Sequence, residues 1–252
     1  MNHIGLFEGI GGFSLAAKWM GWQTIAWCEW DSFCQKVLSY HFPNATPHGD
    51  ITKTDFTIYR GRVDILTGGF PCQPFSVAGN QLGQKDERFL WPEFKRAIIE
   101  SQPSYVVAEN VYGLLGIDRG LTAELLCNDL QNCGFEKPVI FDTPNCAFGL
   151  PTMERHIWFI SKALGERRKG SEEKQNKNNR NERKFQGTDS GESIGWDISK
   201  TRFCDVGERV SRKLDKNSRQ WVKAGGNAIS PQAAYQIFKA IEEMENKLNT
   251  YL

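Results

Sequence analysis

The sequence predicts an α/β fold, with residues 1–162 forming a doubly wound core around a parallel sheet. Two observations predict it. Short β-branched and aromatic runs alternate with helix-length amphipathic stretches, as in successive βαβ units. Several of the runs end at a glycine turn or a carboxylate, at the carboxyl edge where open α/β sheets bind ligands.

The elements follow in order. Ile4–Phe7 reads as a strand that enters a glycine turn, and Phe13–Met20 as the helix leaving it. Thr24–Cys28 is a second strand, ending at Glu29, and Ser32–His41 is its helix. A short strand precedes Asp50. Val63–Thr67 runs into a Gly-Gly-Phe-Pro-Cys loop, followed by a helix at Pro92–Ser101. Tyr105–Ala108 ends at Glu109, and Leu121–Cys133 is the next helix. Val139–Phe141 and Ile157–Ile160 complete the strands, and Pro231–Lys247 is a last helix. Ser230 suits its N-cap and Pro231 its first position, where no N–H is needed.

The chain has 252 residues, 40% apolar and 24% charged, enough to bury a large core. No apolar run approaches the roughly 18 residues of a membrane span. Met1 to Phe7 enters a strand without the regions of a signal peptide, so a cytoplasmic location is expected. Seven cysteines are scattered without a C-x-x-C pair, which suggests neither a disulfide framework nor a zinc site. The net charge of +1 neither demands nor excludes nucleic acid. Beyond residue 164 the composition turns polar: residues 165–184 hold eight Lys/Arg against four Glu. That stretch is expected to be a mobile linker, able to meet phosphates or simply solvated.

Leu6-Phe7-Glu8-Gly9-Ile10-Gly11-Gly12-Phe13 is a glycine turn where the backbone can approach a ligand closely. Glu29 can accept hydrogen bonds from ribose hydroxyls, Trp30 offers a flat face to adenine, and Asp50 could address the adenine amino group. Ser14 stands where a dinucleotide fingerprint has its third glycine. This argues against a pyrophosphate ligand and for a smaller nucleoside cofactor such as S-adenosylmethionine. Taken alone, the turn also has the simpler reading of a tight strand-to-helix connection.

The strongest local feature is Thr67-Gly68-Gly69-Phe70-Pro71-Cys72-Gln73-Pro74-Phe75-Ser76. Its glycines and prolines hold the loop in a defined shape, as expected where a side chain must be aimed. Glu109 in Ala108-Glu109-Asn110-Val111 is a second group at the same edge. The pair has a specific use. Addition of a thiolate to C6 of cytosine, with an acid at N3, makes C5 an enamine-like carbon that can attack a methyl sulfonium. Cys72 is the candidate nucleophile, and Glu109, carrying or sharing a proton, the acid.

These segments resemble the cytosine-C5 DNA methyltransferase family, and in the same order along the chain. The turn at 6–12 is similar to its first motif, Gly69 to Ser76 to its Pro-Cys loop, and Glu109-Asn110-Val111 to its Glu-Asn-Val motif. Gly226-Asn227-Ala228-Ile229 is similar to its last motif, and Arg88-Phe89-Leu90-Trp91 to the segment that closes over the cofactor. The resemblance implies a Rossmann-like S-adenosylmethionine-dependent methyltransferase fold with a small target-recognition subdomain. It divides the chain into a catalytic domain at 1–162, a linker and recognition region at 163–222, and a segment at 223–252 that packs back on the catalytic domain. It implies cofactor contacts from Phe7, Gly9, Gly11, Gly12, Glu29, Trp30, Asp50, Ile51, Pro71, Leu90, Asn227 and Ala228. S-adenosylhomocysteine would be the product and no metal would be needed. The target cytosine would be flipped out of duplex DNA, with Gln73 and Ser76 of the loop near the DNA.

Two departures from the family pattern stand out. Where the family carries Gln-x-Arg-x-Arg, this chain reads Pro151-Thr152-Met153-Glu154-Arg155-His156-Ile157, so Arg155, displaced by one, is the candidate for the arginine role, with His156 the other residue that could take it. The recognition region is also short. Arg202, Arg209, Arg212, Lys213 and Arg219, among Trp196, Phe203 and Trp221, are its candidate DNA contacts. Such brevity is similar to phage-associated members, which places the chain in a bacterial or phage-infected cell, as an expected monomer with a cognate restriction endonuclease left open. Three further readings also stay open: a tRNA cytosine methyltransferase using the same Cys-Glu pair, a DNA-binding homologue without turnover, and a nicotinamide oxidoreductase.

Overall fold

The computed structural model describes residues 1–71, 89–149, 153–165, 220, 224–225 and 228–250. Within them lie strands β1 (Asn2–Leu6), β2 (Gln23–Cys28), β3 (Thr46–His48), β4 (Ile65–Gly69), β5 (Tyr105–Val111), β6 (Val139–Pro144) and β7 (Arg155–Lys162). The helices are α1 (Gly12–Trp19), α2 (Ser32–His41), α3 (Trp91–Ser101), α4 (Leu121–Asn132) and α5 (Pro231–Thr250). One seven-stranded sheet forms in the order β3-β2-β1-β4-β5-β7-β6.

The first five strands pair parallel with one another, but β7 is antiparallel to both β5 and β6. The parallel sheet expected from the sequence holds for β1 to β5, and the edge formed by β7 and β6 departs from it. The physical reason is length. Only ten residues separate Pro144 from Arg155, and a parallel return needs a dozen or more, usually helical.

Alternation along the strands feeds two cores, one on each face. Ile4, Leu66 and Val106 pack with Phe94 and Ile98 of α3 and Leu126 and Leu130 of α4. Ile65 and Val107 face Phe13 and Ala16 of α1 and Phe238 and Ile241 of α5. His3 lies fully buried on that second face, with Nδ1 3.0 Å from Thr24 Oγ1 and Nε2 2.8 Å from Thr67 Oγ1. Burial pushes its pKa down to about 3, so it is neutral in the folded protein.

Local choices explain several element ends. Asp31 caps α2 by accepting from the Phe33 and Cys34 amides. Ser230 Oγ accepts from Ala233 N at the start of α5. Glu8, 1% exposed, accepts from Ser14 N at 2.6 Å and so serves the amino end of α1. Its Oε2 lies 1.9 Å from where a Cβ on Gly5 would stand, so the carboxyl occupies space that only glycine leaves free.

The helix α5 returns to the first strands of the chain. Phe238 stacks on Trp22 with ring centroids 4.9 Å apart, Trp22 Nε1 donates to Glu242, and Lys162 pairs with Glu245. No helix among the described residues is long and apolar enough to cross a membrane.

Candidate active site

A cavity of about 700 Å³ opens at the carboxyl ends of β1, β2, β4 and β5. In this sheet β1 sits between β2 and β4, so the cavity stands where the strand order reverses, the usual ligand position of an open α/β sheet. Each strand contributes its exit: Phe7 and Gly9 after β1, Glu29 and Trp30 after β2, Phe70 and Pro71 after β4, and Glu109, Asn110 and Val111 at the end of β5. Leu90, His156, Ala228 and Ile229 close it from other sides.

The β1 exit is strained. Phe7 has φ +51°, a left-handed conformation costing roughly 1–2 kcal/mol in a non-glycine residue, and it aims the turn so that Gly9 N reaches Glu29 Oε2 at 2.7 Å. The other Glu29 oxygen accepts from Asp31 N at 2.7 Å. Burial raises the Glu29 pKa, while the two amides oppose the rise. Each carboxylate oxygen keeps a second lone pair, so the group can still accept from hydroxyls of a ligand. Trp30 is 73% exposed at the rim, a free flat face.

The β5 exit carries a fixed acid. Glu109 Oε1 lies 2.6 Å from His156 Nδ1, and His156 Nε2 lies 3.3 Å from Asn145 Nδ2. The hydrogen bond to Glu109 raises the His156 pKa against the lowering effect of burial. Glu109 Oε2 lies 2.9 Å from the place a Cβ on Gly69 would take, so glycine there lets the carboxyl lie across the end of β4. Asn110 Nδ2 donates to Phe70 O at 2.8 Å, tying the start of the Phe70-Pro71 loop to β5.

Of the residues expected at the cofactor, Phe7, Gly9, Glu29, Trp30, Pro71, Leu90 and Ala228 line this cavity. Gly11, Gly12, Asp50 and Ile51 are not in its wall. Gly11 packs its α-carbon near Leu38 and Phe42, and Gly12 lies against Ile229. Asp50 caps the turn at Ile51–Lys53, and Ile51 is buried in the core. Cys72, Gln73, Ser76, Asn227, Arg202, Arg209, Arg212, Lys213 and Arg219 lie outside the described residues.

Arg155 requires a correction. Its guanidinium pairs with Asp142 at 2.5 Å and lies 3.9 Å over the Tyr112 ring, away from Glu109. Successive residues of a strand point to opposite faces, so His156, not Arg155, is the residue brought to Glu109 by the pairing of β7 with β5. Asn110 was quoted in the sequence only as part of a motif. Its loop-tying role has no signature in composition, though an Asn directly after the acid at a strand end is a hint. Asn145 and Ile229 gave no signal of their own.

Comparison with known proteins decides the family. Residues 1–224 match the family described as C-5 cytosine-specific DNA methylase. The chain belongs to that family. Among relatives, the type II methyltransferase M.Eco47II of Escherichia coli is 43% identical over 132 residues, covering 52% of this chain and 32% of that protein. M.HhaI of Haemophilus parahaemolyticus is 36% identical over 163 residues, covering 64% of this chain and 48% of that protein. The chain thus matches about a third to a half of the length of these curated relatives. Among solved structures, a prophage-encoded chain from E. coli assigned as a DNA modification methyltransferase superposes with a TM-score of 0.55 at 26% identity, covering 65% of this chain and 47% of that one. The Dnmt2 methyltransferase of S. pombe, at 18% identity, TM-score 0.53, and covering 66% of this chain and 52% of that one, shares the fold.

Proposed function

We propose that this chain transfers a methyl group from S-adenosylmethionine to C5 of a cytosine in duplex DNA, with Cys72 as nucleophile and Glu109 as acid. The observation that carries the reading is the convergence, at one cavity, of a nucleoside-type end (Phe7, Glu29 and Trp30) and a carboxyl–imidazole end (Glu109 with His156). Pro71, the residue before Cys72, lines the same cavity.

S-adenosylmethionine fits the donor set. Glu29 can accept from ribose hydroxyls, Trp30 and Phe7 offer apolar faces to adenine, and Leu90 and Ala228 supply apolar wall. Bound there, the cofactor supplies an electrophilic methyl sulfonium. The chain's own residues do the rest. The Cys72 thiolate adds to C6 of the base, and the displaced π electrons move through C4 to N3, which takes a proton from Glu109. Asn110 holds the chain just after β4 through the Phe70 carbonyl, two residues before Cys72 in the sequence. Recognition of DNA falls to residues 163–222 with Arg202, Arg209, Arg212, Lys213 and Arg219, aided by Gln73 and Ser76. A flipped base is required, since C6 cannot be reached within the stack.

The test is incubation of the purified chain with labelled S-adenosylmethionine and either mixed-sequence duplex DNA or tRNA, followed by mass spectrometry of the bases. 5-Methylcytosine in DNA, absent with Cys72→Ser, is the expected result. Label in tRNA alone, or none in either while cofactor binds, overturns it.

A further inference from the structure

The Glu109 carboxyl is held by a neighbour that can change its charge. His156 Nδ1 lies 2.6 Å from Glu109 Oε1, and both side chains sit largely withdrawn from solvent at the cavity wall. Asn145 approaches the other ring nitrogen at 3.3 Å. With its amide donating to Nε2, the imidazole is the neutral Nδ1–H tautomer; with its carbonyl turned there instead, the imidazolium is accommodated. The Glu109–His156 pair therefore has a place for one exchangeable proton, on the ring or on the carboxyl. An arginine at the same place would be charged at every working pH.

We propose that His156 is a positioning residue for Glu109 and that the proton this pair shares gives methyl transfer an alkaline limit. The inference rests on the proposed function. In the protonated pair, Nδ1–H binds Oε1 and leaves Oε2 to face the base. As Cys72 adds to C6, the π pair displaced to N3 takes the pair's proton, leaving a carboxylate that Nδ1–H of neutral His156 stabilises. Once C5 has taken the methyl group and passed its proton to solvent water, Cys72 is expelled and N3 returns its proton to the pair, so the cycle balances. Above the pH at which the pair loses its proton, the carboxylate has none to give.

Several other groups face His156 among the described residues. Glu109 comes from β5, Thr143 stands opposite it on β6, Asn145 comes from the turn after β6, and Glu154 precedes it on its own side of the chain. Glu154 and Glu109 both favour the imidazolium. The remaining acid of β6, Asp142, is engaged by Arg155. The anionic surroundings keep the proton on the pair to a higher pH than a free imidazole would.

The experiment measures kcat for 5-methylcytosine formation against pH, with labelled S-adenosylmethionine and duplex DNA, for wild type, His156→Gln and His156→Arg. A companion NMR titration of the His156 ring compares wild type with Glu109→Gln. Glutamine can donate a hydrogen bond but not a proton, so His156→Gln should fall about tenfold or more below wild type at low pH and approach it at high pH. His156→Arg should keep turnover at low pH and move the alkaline limit lower, because a fixed positive charge favours the ionised carboxylate, and the ring should titrate lower in Glu109→Gln. A wild-type to His156→Gln ratio constant with pH, or a ring titration unmoved by Glu109→Gln, overturns the role alone. Wild type that forms no 5-methylcytosine at any pH overturns the functional reading and this role with it.

Discussion

Replacing Glu8 by glutamine should flatten the pH dependence of folding. Glu8 is enclosed beneath α1, its Oε1 bound to the Ser14 amide and its Oε2 without a partner among the described residues. Burial therefore raises its pKa from 4.5 to about 7. A carboxyl that binds its proton more tightly when folded favours folding fully below its unfolded pKa, and that contribution is lost as pH rises through 4.5 towards about 7. At about 1.4 kcal/mol per pH unit, the loss between about pH 5 and about pH 8 integrates to about 2.5 kcal/mol. Glutamine keeps an oxygen for the Ser14 amide and has nothing to titrate. The assay is urea unfolding of wild type and Glu8→Gln at several pH values. His3 titrates alike in both proteins, so its contribution cancels in the difference. The gap between the two should change by about 2.5 kcal/mol across that range, moving in the variant's favour as pH rises. A gap constant to within about 0.5 kcal/mol would refute the reasoning, because it would mean that Glu8 reaches water or a counter-charge on folding.

Other outcomes are equally specific. His3 is neutral in the fold but protonates at 6.5 when unfolded, so stability is present above 6.5 and lost as pH falls towards about 3. Wild type should lose about 2.5 kcal/mol relative to His3→Gln between about pH 6 and about pH 4, read by the same urea series. Gly12→Ala would put a Cβ 2.4 Å from the Ile229 carbonyl oxygen, a backbone atom that cannot step aside. About 1–3 kcal/mol of unfolding free energy should be lost, measured by denaturant melts. Gly69→Ala would set a Cβ 2.9 Å from Glu109 Oε2. A displacement of about half an ångström at the acid should lower kcat on the order of 10-fold, while cofactor affinity measured by calorimetry stays within a few-fold.

Much of the fold is legible because the local signals agree. The helix at Ser32–His41 has the same bounds in sequence and structure, since an Asp N-cap precedes an amphipathic stretch. The direction of the last two strands is not carried by periodicity, which reports only which residues are buried. The ten-residue length of the connection from Pro144 to Arg155 is the available clue. β3 is three residues long and contains Pro47, too little for any alternation. At the site, Glu29 and Glu109 declare themselves as carboxylates at strand ends. The choice between Arg155 and His156 could not be made there. Ile157-Trp158-Phe159-Ile160 is apolar at every position, so the sequence does not say which face each residue takes, and only the pairing of Val111 with His156 settles it.

The return of α5 to the start of the chain also bears on how the protein folds. The bond from Trp22 to Glu242 spans 220 residues, and closing a loop of that length costs on the order of 5 kcal/mol in chain entropy. Contacts of such long sequence separation are formed late. Ala228 and Ile229, which close the cavity, immediately precede α5. The sheet can assemble while its ligand cavity still lacks a wall, so the chain becomes competent for ligand only when α5 docks. A bound nucleoside would then act as a latch on that last step, slowing release of α5 more than it speeds assembly of the sheet.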